Sequence, residues 1–343
     1  MKDLWQYLKE TDKPIVFYGM GNGADKIYRI LNRLGKQPDG VFATDGFVRP
    51  KTVYGKVLTT LSETEKQFKD FIVLLCFGSS RDDVIENVKL ISEKHELYAP
   101  DVPVYGDSLF DKSFYEDNKS RLDSVYGMLY DEQSRKTFLN TVNYKLSGDI
   151  NFLFDCETDE KEPFDTFFKL SGSEIYVDLG AYRGDTVESF IKTVNGYKKI
   201  YAVEPDKKNY AKLLNYCNSL QNTVCINACV SDKCGKIPFA MNSSRGSFAS
   251  GTGVLTDAVT VDSLTNGTAT FIKFDVEGAE VSAVEGAKET ILSSKPKMMI
   301  SCYHRSEDLF EIVEKVTSIR NDYKIYMRHT GGLPAWDTYF YFI

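Results

Sequence analysis

Three segments constrain this chain more than any other feature: VDLGAYRGDT (177–186), YAVEP (201–205) and IKFDVEGAE (272–280). The first reads as a buried strand carrying an acid, then a glycine turn, then a helix start. The second is an apolar strand ending in Glu204, and the third brings Asp275 to the end of a further strand. In an open parallel α/β sheet these strand ends share one edge, where ligands bind. Glycine turns let backbone approach a ligand closely, and an acid at the end of the next strand can accept both hydroxyls of a ribose. The order and separation of the three point to a nucleoside-bearing cofactor far more strongly than any lone glycine motif.

The N-terminal part repeats the strand–turn–helix idea. PIVFYG (14–19) leads into GMGNGADKIYRILNRLG, and FIVLLCF (71–77) runs into the turn Gly78-Ser79-Ser80. Gly19, Gly21 and Ala24 fit a GxGxxG/A spacing, with Asp45 about 20 residues beyond the turn. Residues 1–110 are therefore expected to form a small Rossmann-like domain. Its candidate nucleotide or nucleotide-sugar site comprises Gly19, Gly21, Asn22, Gly23 and Asp45. The competing reading is that these glycines only pack helix against strand. Residues 111–170 show helical spacing at Leu122, Val125, Leu129, Phe138, Val142 and Leu146, with Asp131 or Ser134 starting the second helix. This mainly helical connector either packs between domains or acts as a lid contributing Tyr144, Phe164 or Arg135.

At 343 residues, two domains are the expectation. A net charge of −7 argues against bulk binding to nucleic-acid phosphates or an anionic membrane. No apolar run reaches the roughly 20 residues of a membrane helix. Seven cysteines, without a CxxC pair and behind an N-terminus lacking an apolar signal core, read as reduced thiols in a cytoplasmic protein. Cys225 and Cys229 are expected on one face of a single strand.

The three segments, with the helix VSAVEGAKETIL that follows, resemble the FkbM family of S-adenosylmethionine-dependent methyltransferases over roughly residues 171–343. The connector, from DEQSR through YKLSGD to PFD, resembles that of two-domain members. The resemblance implies an α/β chain of two Rossmann-like domains. The C-terminal one (171–343) would be a seven-stranded class I methyltransferase sheet whose last strand runs antiparallel. It also implies S-adenosylmethionine as cofactor. One departure is Tyr182, which stands where many methyltransferases carry a second glycine. The candidate cofactor residues are Asp178, Gly180, Ala181, Tyr182, Gly184, Asp185, Thr186, Glu204, Pro205, Val230, Ser231 and Asp275. Asp185 and Thr186 are also candidates to cap the following helix.

A hydroxyl acceptor needs a group to take its proton. The candidates are Asp275, Glu277 and His304, which follows a strand in ISCYHRSED; Glu280 is expected at a helix start, and Lys273 is placed to pair with one of the acids. Asp275, Glu277 and His304 also suit a divalent ion, but no spacing demands one and no metal is expected. The Gly/Ser-rich stretch 243–253 is either a closing loop or ordinary surface. The resulting expectation is an O-methyltransferase acting on a sugar hydroxyl, of a small molecule or a glycan. The rivals are an NAD-dependent nucleotide-sugar oxidoreductase or epimerase, and a non-catalytic nucleotide-sugar-binding module.

Overall fold

The computed structural model describes residues 3–44, 46, 48–240, 248–249 and 253–343. Asp45 and most of 243–253 lie outside the described residues. Two large sheets carry the chain. The first has six strands in the order Thr52–Val53, Lys56–Thr59, Gly40–Phe42, Ile15–Tyr18, Ile72–Leu75, Glu96–Tyr98. All its pairings are parallel except that of Thr52–Val53 with Lys56–Thr59. The second has seven strands in the order Ile325–His329, Thr338–Phe342, Lys297–Ser301, Phe271–Phe274, Ile175–Leu179, Lys199–Val203, Thr223–Ile226. Thr338–Phe342, the last strand, is antiparallel to both neighbours. Ile15–Tyr18, Ile72–Leu75, Ile175–Leu179 and Phe271–Phe274 are buried at every position, as expected of parallel strands covered on both faces.

One expected strand differs. TVCINAC divides into Thr223–Ile226 and Cys229–Val230, because Asn227 turns its amide to the carbonyls of Glu204 and Pro205 at 2.8 and 3.0 Å. Cys225 and Cys229 thus lie on different strands, and all seven cysteines are free thiols. Cys229–Val230 instead joins a small sheet with Val254–Val259, Gly235–Ala240 and Phe248–Ala249, which the sequence reading did not anticipate. Its strand Val254–Val259 keeps Val254 and Leu255 exposed, so no clean buried periodicity marks it.

Between the sheets run the helices Lys112–Met128 and Glu132–Ser147. Asp131 caps the second, accepting the Ser134 N–H at 2.8 Å. Leu122, Val125, Leu129, Phe138, Val142 and Leu146 enter one apolar core with Ile272, Phe274, Ile300 and Phe340 of the seven-stranded sheet. Arg328, 2% exposed, bridges Asp131 (Nη2–Oδ2 2.7 Å) and Glu162 (Nε–Oε2 2.8 Å). It straps the connector and its acidic loop to the edge strand. The lid reading is corrected by burial and pairing. Tyr144 lies fully inside a core, Phe164 packs edge-on against Phe168, and Arg135 is tied to Glu132 and to the Leu129 carbonyl. Among the described residues, no helix is long and apolar enough to cross a membrane.

Candidate active site

The glycine turn after Ile175–Leu179 is built against the strand beside it. Gly180 has φ +84°, and a Cβ there would stand 1.9 Å from the Asp275 carbonyl oxygen. Gly184 has φ +97°, and its Cβ would meet the Tyr216 ring at 2.6 Å. Tyr182 adopts φ +47°, the left-handed conformation for which glycine is the usual residue. Ala181 is buried beneath the turn. Gly184 itself is the N-cap of the helix Asp185–Thr193 and offers no side-chain cap. Asp185 and Thr186 are therefore the first two helical residues, not the cap. The Thr186 hydroxyl instead donates to Asp178 Oδ2. Asp178 is fully buried, with Oδ1 lacking a hydrogen-bond partner and Lys273 Nζ 3.9 Å away. Burial raises its pKa. It organises the turn from below and does not lie on the open edge.

Glu204 sits at the end of the next strand, 6% exposed. Its Oε2 accepts the Tyr182 N–H at 3.0 Å and its Oε1 the Asp206 N–H at 2.8 Å. Each oxygen keeps a second lone pair. Burial pushes the Glu204 pKa up to about 7, against the two N–H groups. Pro205 follows directly and leads into the helix Lys207–Cys217, capped by Asp206. Val230 is buried, and Ser231 donates to Asp232, whose N–H in turn donates to Ser282.

Asp275 is held from two sides. Lys273 Nζ lies 3.0 Å from its Oδ2, and the Tyr303 hydroxyl donates to its Oδ1 at 3.0 Å. Burial opposes ionisation, but Lys273 and His304 outweigh it and lower the pKa. Glu277 stands in left-handed conformation (φ +55°) with its side chain one-third exposed. Burial raises its pKa. The Tyr105 side chain, from the segment following the first sheet, covers Gly278, and the Tyr105 N–H donates to the His304 carbonyl at 2.9 Å.

His304 differs most from expectation. It is 2% exposed, with Nδ1 2.9 Å from Glu280 Oε1 and Nε2 3.5 and 3.6 Å from Asp275 and Glu277. Burial alone would favour the neutral ring, but Glu280, Glu277 and Asp275 together raise its pKa to about 10. The nitrogen that faces the edge acids, Nε2, thus carries a proton and has no lone pair to offer an acceptor, so the base role anticipated for the ring passes to a neighbouring acid. Glu280 does start a helix, Glu280–Glu285, as expected, but it is fully buried. Tyr105 carries no motif signal and arrives only through tertiary packing; Tyr303 and Asp308 lie within ISCYHRSED beside His304, but nothing in that stretch shows that their side chains turn to the site.

The N-terminal glycines have local explanations. A Cβ at Gly19 would strike the Phe77 ring at 2.4 Å, and one at Gly23 the Cys76 carbonyl oxygen at 2.6 Å. Gly21 caps the helix Asn22–Arg33, which starts at Asn22. The turn 330–337 seals the neighbouring loop: Ser79 and Leu333 exchange backbone hydrogen bonds of 2.8 and 2.9 Å, and the Trp336 ring fills the space a Cβ on Gly78 would need.

Gly180, Glu204 and Asp275 thus stand on one sheet edge. Residues 178–325 match the family model of the methyltransferase FkbM domain. The chain carries an FkbM methyltransferase domain. The fold of the whole chain is similar to that of methyltransferase FkbM from Methylobacillus flagellatus KT, with TM-score 0.75 and 23% identity over 99% of this chain and 92% of that one. The likeness therefore reaches beyond the FkbM domain to the first sheet and the connector. Fibrillarin of Aeropyrum pernix, solved with bound S-adenosyl-L-methionine, overlaps 50% of this chain and 67% of its own at 15% identity and TM-score 0.34. A comparison with curated proteins finds no match.

Proposed function

We propose that this chain is an S-adenosylmethionine-dependent O-methyltransferase whose acceptor is a sugar hydroxyl. The observation that carries the reading is the convergence, within an FkbM domain, of the Gly180 turn, the Glu204 carboxylate and the Asp275–Glu277 acids at one carboxyl edge. The residues fit the cofactor. Glu204 retains lone pairs for two ribose hydroxyls, and Gly180 and Gly184 hold a turn that side chains would break.

S-adenosylmethionine supplies an electrophilic methyl group on a sulfonium. The chain's part is to bind, orient and exclude water, which is where much of the acceleration of such a displacement arises. Asp275, fixed by Lys273 and Tyr303, is a charged anchor for acceptor hydroxyls. Glu277, partly exposed beside it, is the group placed to take the acceptor's proton. The acids Asp275 and Glu277 with the rings of Tyr105 and Tyr303 suit a polyol, whose hydroxyls donate to carboxylates while its apolar face packs on aromatics.

The test is methyl transfer from labelled S-adenosylmethionine to a panel of sugars, nucleotide-sugars and oligosaccharides. Product with a sugar and none with catechol or amine acceptors supports the reading. Transfer only to nitrogen or phenolic acceptors contradicts it.

A further inference from the structure

Below the edge acids lies a second group that the proposed reaction does not use. Glu280, His304 and Asp308 bring one donor atom each to within 4.8 Å of one another, the one such candidate metal cluster among the described residues. All three are buried, at 0%, 2% and 1% exposure. Glu280 Oε2 and Asp308 Oδ1 have no hydrogen-bond partner, and His304 Nδ1 meets only Glu280 Oε1, at 2.9 Å. The other carboxylate oxygens are used, Glu280 Oε1 by the Val276 N–H at 2.9 Å and Asp308 Oδ2 by the Arg305 N–H at 2.7 Å. These two bonds aim the remaining oxygens.

The charge balance is acidic. Asp275, Glu277, Glu280 and Asp308 all face His304 or its neighbours, and Lys273 is shared between Asp275 and Asp178. Arg305 turns its guanidinium toward Glu307 and Glu311. Among the described residues, the His304 ring is the one cation these two buried carboxylates share, so their unpartnered oxygens remain costly unless a further cation or a proton compensates them.

We propose that Glu280, His304 and Asp308 hold a divalent first-row transition ion of the Mn2+, Fe2+ or Zn2+ type, which takes the place of the proton that His304 Nδ1 otherwise shares with Glu280 and releases that proton to solvent. One imidazole and two carboxylates favour these over Mg2+ or Ca2+, which prefer all-oxygen sites. Each carboxylate begins a helix, Glu280–Glu285 and Asp308–Ile319. The ion therefore joins the turn bearing Asp275 and Glu277 to the segment bearing Tyr303 and His304, and positions the edge acids from beneath. The site is structural and independent of which acceptor is methylated.

The experiment is elemental analysis of the tag-free chain, with thermal unfolding before chelation, after it, and after return of Mn2+, Fe2+ or Zn2+. The expected result is about one ion per chain, a Tm lowered by about 5 °C or more on chelation, and recovery with the ion. Asp308→Asn should hold under about a tenth of an ion and show no chelator effect. If that variant does not fold, the chelation and return series on the parent chain decides alone. A parent chain without metal, whose Tm neither chelator nor added ion moves, overturns the proposal, as does a folded Asp308→Asn that keeps its metal. The first outcome would mean that a shared proton holds the carboxylates together.

Discussion

The Gly180 Cα faces the Asp275 backbone so closely that a Cβ would lie 1.9 Å from its carbonyl oxygen. The glycine turn and the acid-bearing strand end are thus one packed unit, and neither can shift without the other. Gly180→Ala must strain a φ of +84° and push the strand end away. We expect S-adenosylmethionine affinity to fall at least about tenfold and Tm to drop by several degrees. Calorimetric titration and thermal unfolding check this; a variant with parental affinity would show that the turn does not shape the cofactor site.

Glu204 gives a pH signature of definite sign. With its pKa near 7 in the free chain, the carboxylate is incompletely ionised at neutral pH. Ribose hydroxyls donate to the ionised form, so cofactor affinity should rise with pH and level off above about 7. Stability of the ligand-free chain runs the other way. The native state keeps this proton up to about 7 while the unfolded chain releases it near about 4.3, so stability falls as pH climbs between the two. Glu204→Gln should flatten both profiles and weaken binding at least about tenfold above pH 7. Titrations across this range, with the parent and the variant, test it.

Glu277→Gln removes the proton acceptor but keeps the shape. Turnover should fall by about 10²–10⁴-fold with cofactor affinity nearly unchanged. Single-turnover kinetics beside cofactor titration separates the two; full activity would leave positioning alone as the source of rate.

Arg328 tests the strap between connector and sheet. Arg328→Ala leaves Asp131 and Glu162, each about a third exposed, without their shared cation, and should cost about 1–3 kcal/mol of stability. Denaturant unfolding measures this; a loss below about 1 kcal/mol would place the pair among weak surface bridges.

The parts of the site readable in the sequence are those fixed by local pattern. Strands such as IYVDL and FIKF announce themselves by continuous apolar runs, and Glu204 and Asp275 by their places at strand ends. Lys273 was legible as a partner for an acid because a charge inside a buried strand must be paired. His304 was legible in position only. Its charge is set by Glu280, Glu277 and Asp275, whose burial the sequence does not display. Tyr105 reaches the site through packing, Asp308 was near His304 in sequence but its burial was not displayed there, and the break at Asn227 follows from carbonyls at the end of another strand. The cap assigned to Asp185 or Thr186 moved to Gly184 because the left-handed turn ends one residue earlier.

The most direct measurement is isothermal titration of the purified chain with S-adenosylmethionine. Saturable binding of about one cofactor per chain, lost or weakened in Glu204→Gln, is the predicted result. A well-folded chain that binds none, with or without a sugar acceptor present, would contradict the account.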